Sequence, residues 1–183
     1  MAKKIRYENA TLTRRCASYF IDWYVGALCA ALPISIVSQK LYGTMAKQNI
    51  LEIAEPYGLI AGIIGVIFAL LYYIYVPTYV YQGQTFGKHL CHIKMIQEDG
   101  SDVNLKSMFL RQGLGIIVLE GILASASTLW HQIFTLLTGI NIVSIMMYVG
   151  FVVGGISVLL LVFTKDHRAL HDRIGKTIVV MDK

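Results

Sequence analysis

The chain has 183 residues, of which 56% are hydrophobic and only 15% charged, with a formal net charge of +5. Soluble domains carry about a quarter charged residues, yet residues 121–164 here form a run of 44 without one Asp, Glu, Lys or Arg. Such a run is too long for a core helix. The composition excludes an ordinary soluble globular enzyme and predicts an all-α, polytopic membrane bundle in a single domain spanning 1–183.

The amino-terminal residues are basic (Lys3, Lys4, Arg6), but no apolar segment follows them directly. Nor does a small-residue cleavage site follow the first apolar run, so that run is read as a retained helix and not a signal peptide. It covers 16–38, with Asp22 near its start and Pro33 near its end. An ionisable side chain in hydrocarbon costs roughly 2.5–3.5 kcal/mol and needs a partner or a role. Asp22 has two readings: a cation- or proton-binding carboxylate in a polar cavity, or half of a structural ion pair with a basic residue of another segment. Arg15 lies two turns before it on the same helix face, about 10 Å away and too far for easy contact.

A second helix is predicted over 57–81. It is uncharged, and Tyr72, Tyr73, Tyr75, Tyr79 and Tyr81 at its end fit an interfacial aromatic belt. The loop 82–112 is too polar to span. Residues 85–96 place Phe86, Leu90, Ile93 and Ile96 near helical spacing, which suggests a short amphipathic surface helix with Lys88 and Lys94 snorkelling to headgroups. Glu98-Asp99-Gly100-Ser101 reads as a turn, and a hairpin around it is the competing expectation.

The long uncharged run must be divided. A third helix at 110–129 and a fourth at 142–163, separated by an interfacial segment, put Glu120 in mid-membrane, where a carboxylate can carry a proton. A third helix at 120–137 would instead put Glu120 at the interface. Asp22 and Glu120 together would make a paired intramembrane acid. Beyond the last helix, His167 and His171 stand four apart. That spacing suits zinc, but no H-E-x-x-H glutamate accompanies it, and docking of the tail on the helix ends is the simpler reading.

Four helices sort the basic residues. Fourteen of 16 Lys and Arg fall in the amino-terminal segment, the middle loop and the tail. The positive-inside rule makes those three cytoplasmic. The same rule accounts for the net charge without nucleic acid as a partner. Three cysteines without paired spacing imply no disulfide framework. Gly83–Lys88 and Gly175-Lys176-Thr177 both fail the phosphate-loop pattern, so no nucleotide is expected, and no metal or other cofactor is implied. Gly58-x-x-x-Gly62 and Gly150-x-x-x-Gly154 would permit close helix contacts, within the chain or in a homo-oligomer.

Three segments together resemble the RDD family of small bacterial membrane proteins, named for an Arg and two Asp residues. They are Arg14-Arg15-Cys-Ala-Ser-Tyr-Phe-Ile-Asp22, Gly83-Gln-Thr-Phe-Gly-Lys88, and Arg168-Ala-Leu-His171-Asp172-Arg-Ile-Gly-Lys-Thr177. Arg15, Asp22 and Asp172 match the naming residues, with Arg14 an alternative to Arg15. Some members have been linked to exchange of sodium, lithium or potassium for protons. The resemblance therefore implies transport more than catalysis, with the lipid bilayer and Na+, K+ or H+ as partners. It also suggests a gating or bracing ion pair between Arg15 and Asp172 at the cytoplasmic end of the first helix. The expected function is a cation or small-solute transporter working through Asp22. The alternative is a non-transporting scaffold or accessory subunit whose charged residues are structural, and enzymatic activity is not expected.

Overall fold

A computed structural model describes residues 7–121 and 125–182. It is mostly helical, with α1 at Leu12–Tyr42, α2 at Tyr57–Val80, α3 at Phe86–Leu90, α4 at Leu105–Glu120, α5 at Ser125–Thr138, α6 at Val143–Phe163 and α7 at Leu170–Ile174. Two short strands, β1 (Ile93–Gln97) and β2 (Thr177–Met181), pair antiparallel. Three helices, α1, α2 and α6, are long and apolar enough to cross a membrane; α4 and α5, bent by 66° to each other, make a fourth crossing if they count as one span.

Helix α1 starts where the Thr11 side chain accepts from the Arg14 N–H and ends where Gly43 adopts φ +70°. It is therefore longer at both ends than its apolar run. Its buried residues, Ser18, Asp22, Gly26, Ala30, Pro33, Ile34 and Ser38, recur every three or four positions and make one stripe of mostly small side chains. The buried stripe of α2 is similar: Gly58, Ala61, Gly62, Gly65 and Ala69. In lipid, no hydrophobic force drives two helices together, so close backbone approach and dispersion must do it. A Cβ on Gly65 would stand 2.6 Å from the Ala30 carbonyl oxygen, and one on Gly62 would strike Ile50. The Gly58–Gly62 pair thus serves packing inside the chain. Leu129 and Ala126 of α5 complete the core between these helices.

The first segment, the loop 81–104 and the tail after α6 meet at one end of the bundle and form a cap. Asn9 bridges Val180, Ala10 N–H donates to the Val179 carbonyl, and β1 lies on the other side of β2. Ile93, Met95, Met108 and Val179 are buried beneath it. The expected amphipathic helix over 85–96 is only α3; after Leu90 the chain turns at His92, with φ +53°, and becomes β1. Sequence spacing alone favoured helix because the partner strand lies about 85 positions away in the tail. The turn at Asp99-Gly100 exists, but it returns the chain for a single bridge, Ile96 to Asp102.

The division of the long uncharged run also differs from expectation. The third helix ends at Glu120, not 129, and the presumed interfacial segment is largely part of the helix α5, which lies close to the alternative helix at 120–137. From Phe109 to Glu120 α4 is wound with i→i+5 hydrogen bonds, and its last turn closes through Gly121 N–H to the Ile116 carbonyl at φ +26°. A side chain at 121 would be strained there, which explains why the position is glycine. Residues 122–124, which the expected helix included, lie outside the described residues, as do Lys3, Lys4, Arg6 and Lys183.

Candidate functional site

Of the two carboxylates expected inside the bundle, Asp22 is buried and Glu120 half-buried, and each is held in part by a segment that does not span. Asp22 is 3% exposed. Its Oδ1 accepts from the Tyr72 hydroxyl (2.6 Å) and the Gly87 N–H (2.8 Å), and its Oδ2 from the Thr85 hydroxyl (2.5 Å) and Lys88 Nζ (3.0 Å). The Tyr73 hydroxyl donates to the Asp22 carbonyl oxygen. Four donors on two carboxylate oxygens compensate for the water that Asp22 gave up.

The segment from Gly83 to Lys88 is built for this contact. Gly83 has φ +76°, and a Cβ there would lie 2.2 Å from the Met95 carbonyl oxygen. Gln84 Nε2 donates to the Ile93 carbonyl and to Asp182, which fixes the turn to β1 and to the residue after β2. Thr85 and Lys88 then face Asp22 from one side of α3. Gly87 lets the backbone settle on α1, since a Cβ would be 2.4 Å from the Ser18 carbonyl oxygen. Lys88 does not snorkel; it is 9% exposed and neutralises Asp22. The 17 uncharged residues 23–39 that follow Asp22 cover about 25 Å of helix, close to a hydrocarbon core. Asp22 therefore lies at the cap-side edge of that stretch and not in its middle.

Asp172 on α7 is the second buried acid, with no exposure at all. It forms ion pairs with Arg15 of α1 and Arg111 of α4, and accepts the Ala169 N–H at 3.0 Å. Arg15 also donates to the His167 carbonyl and Arg111 to the Thr177 hydroxyl (2.6 Å). Burial alone would raise the Asp172 pKa; Arg111, His171 and Arg15 outweigh it and hold the carboxyl well below the usual carboxylate range. Arg14 instead donates to the Cys91 carbonyl.

Glu120 forms a third centre. Its Oε1 accepts from Ser157 of α6 (2.7 Å) and the His171 N–H (2.9 Å), and His171 Nδ1 stands 3.0 and 2.9 Å from its two oxygens. The structure therefore unites Arg15 with Asp172 but gives Asp22 and Glu120 separate partners, so they form no carboxylate pair. His167 and His171 turn to different groups, the Leu161 carbonyl and Glu120. Among the described residues no cluster of three or more His, Cys, Asp or Glu could hold a metal.

Sequence reasoning missed Lys88, Thr85, Gly87 and Tyr72 as partners of Asp22, and Arg111 as a partner of Asp172. The signal for Arg111 was its position at the head of an apolar run. A cavity of about 20 Å³ opens beside Asp22, between Tyr19 of α1, Tyr73 of α2, Lys88 of α3, and Gln112 and Ile116 of α4. It has room for about one water.

The pattern of the RDD family matches residues 9–176. A curated relative, named uncharacterized protein YckC, from Bacillus subtilis (strain 168), is 28% identical over 110 residues, 60% of this chain and 54% of that protein. The chain thus spans about half the length of that relative. No solved structure matches. The family match runs from the cap residue Asn9 through α7, taking in Arg15, Asp22, the Gly83–Lys88 turn and Asp172 together with the apolar helices, and on that ground the chain belongs to the RDD family of membrane proteins.

Proposed function

We propose that the protein exchanges a small cation for a proton across the inner or plasma membrane of a bacterium, with both termini cytoplasmic. One observation carries this: a buried carboxylate, Asp22, holds a buried ammonium, Lys88, beside a small cavity. A cation that reaches Asp22 competes with Lys88 for the same oxygen. If it takes that place, the ammonium is left without a counter-charge in a low-dielectric site and sheds its proton. One cation enters, one proton leaves, and the net charge of the site is unchanged. Proton return to Lys88 expels the cation.

Arg15, Asp172 and Arg111 serve in this scheme as the brace that keeps the tail seated, and Glu120 with His171 as a second proton-accepting pair near the cap. Three or four spans are few for alternating access, so a homo-oligomer is part of the proposal. No catalysis and no nucleic-acid partner belong to it.

The test is uptake of Na+ or K+ coupled to an internal pH dye in proteoliposomes. Wild type is expected to give cation-driven proton movement, Asp22→Asn none, and Lys88→Met cation movement without proton coupling. Equal flux in wild type and folded Asp22→Asn would overturn the proposal.

A second reading is favoured by the completeness of the pairing. Asp22, Asp172 and Glu120 all have full sets of donors, as in a scaffold whose charges only hold the cap on the bundle. It predicts no flux above empty vesicles, with the same substitutions affecting assembly alone.

A further inference from the structure

We infer that Gln112 is a ligand of the exchanged ion, and that the ion sits in the cavity between α1, α3 and α4 stripped of nearly all its water. The inference rests on the exchange reading for the role of the site, and on separate observations for its position. Gln112 is 2% exposed, and its side-chain amide makes no hydrogen bond to any described residue, with Oε1 fully buried. A buried amide without a partner is disfavoured strongly enough that such groups in folded proteins nearly always have an ordered occupant beside them. Gln112 lines the cavity that Asp22, Tyr19, Tyr73 and Lys88 also line. An unspent amide and a void of one-water size therefore stand at the same place.

The winding of α4 aims it there. Gln112 lies within the stretch 109–120 whose hydrogen bonds run i→i+5, a form of helix found often where side chains must be re-aimed for function. Its neighbour Arg111 faces Asp172 while Gln112 faces Asp22. Two successive residues thus serve two different acid-bearing sites.

The donor set defines the class of occupant. Beside the Lys88 ammonium, the oxygen-bearing side chains that line the cavity are those of Asp22, Tyr19, Tyr73 and Gln112. All are hard oxygen ligands, and among the described residues no sulfur or imidazole lines the cavity, which suits an alkali cation and not a transition metal. About 20 Å³ admits an inorganic ion or one water, but not an organic ammonium.

The experiment is thermal unfolding of the purified full-length protein in detergent, titrated with LiCl, NaCl or KCl against choline chloride at constant ionic strength. Wild type is expected to be stabilised by at least one alkali ion over choline. Gln112→Met keeps the shape, removes the oxygen, and is expected to weaken that ion's apparent affinity at least about tenfold. Gln112→Glu keeps an oxygen and is expected to retain the response, which also guards against Gln112→Met failing to fold. An unchanged ion response in Gln112→Met overturns the inference. So does loss of the response in Gln112→Glu, or a wild type indifferent to all three salts, which would mean an ordered water only. Flux measured in parallel separates the two claims. Gln112-dependent ion binding without flux sinks exchange but keeps the site, and flux with binding indifferent to Gln112 does the reverse.

Discussion

Lys88 on α3 places its Nζ 3.0 Å from Oδ2 of Asp22 on α1, tying a loop that does not span to a helix that does. Neither charge is buried at tolerable cost alone. Together they neutralise each other, and Thr85, Tyr72 and the Gly87 N–H fill the remaining acceptor sites of Asp22. The segment Gly83–Lys88 and the acid of the first helix are thus one structural unit divided in sequence.

That unit predicts a non-additive pair. Asp22→Asn or Lys88→Met alone leaves one buried charge uncompensated and is expected to cost about 3–5 kcal/mol. The double variant removes both charges and is expected to recover more than half of the loss. Thermal or denaturant unfolding in detergent, arranged as a double-mutant cycle, checks it. Additive losses would mean that the two side chains do not interact.

Gly87 and Gly155 predict opposite outcomes for the same substitution. A Cβ at 87 would stand 2.4 Å from the Ser18 carbonyl oxygen and 2.8 Å from Asp22 Oδ1, whereas one at 155 meets nothing within 4 Å. Gly87→Ala is expected to lift α3 from α1 and lower the unfolding midpoint markedly. Gly155→Ala, in a helix interior, is expected to be neutral or to stabilise by up to about 1 kcal/mol. Unfolding of the two variants side by side decides the matter.

Why some of this was legible in sequence and some was not follows from range. The apolar runs that became α1, α2 and α6 announce themselves locally, through 20 or so residues in a row. Asp22 was visible because a carboxylate in an apolar helix needs a reason, and Asp172 only through the resemblance to the family pattern. Their partners were not, since Lys88 is 66 positions from Asp22 and Arg111 is 61 from Asp172. Residues 93–97 have a spacing that suits helix or strand, and only the tail strand beside them decides. The boundary at Glu120 was only one of two divisions in the sequence, because i→i+5 winding has no composition of its own to decide between them. Glu120 itself drew attention, but only the tail's return shows that its partner is His171.

Asp172 predicts how the cap responds to acid. Its pKa in the folded protein lies below the unfolded value of about 3.9, because Arg111, His171 and Arg15 outweigh its burial. The folded state therefore binds the proton less well, and the stability that the charged form contributes is fully present above about pH 4. It is lost as pH falls from there toward the folded pKa. The unfolding midpoint of wild type is expected to drop below about pH 4 more steeply than that of Asp172→Asn, which is less stable at pH 7 and flatter with pH. Parallel curves for the two would show that Asp172 carries none of the acid sensitivity.

Glu120 predicts that the cap is held at separate points. Its partners are Ser157 of α6 and the backbone and ring of His171, and Ser157 in turn accepts the Leu170 N–H at 3.0 Å. Glu120 therefore anchors the first turn of α7, while the Asp22 unit anchors α3 through other residues. Glu120→Gln keeps the size and one acceptor oxygen but removes the charge that faces His171. Amide hydrogen exchange is expected to speed up in residues 167–175 and stay unchanged in 83–90. The Arg15–Asp172–Arg111 contacts should keep α7 from detaching fully, so the change is partial protection loss and not complete exposure. An equal rise in both segments would mean that the cap opens as one cooperative body and that the two anchors are not independent.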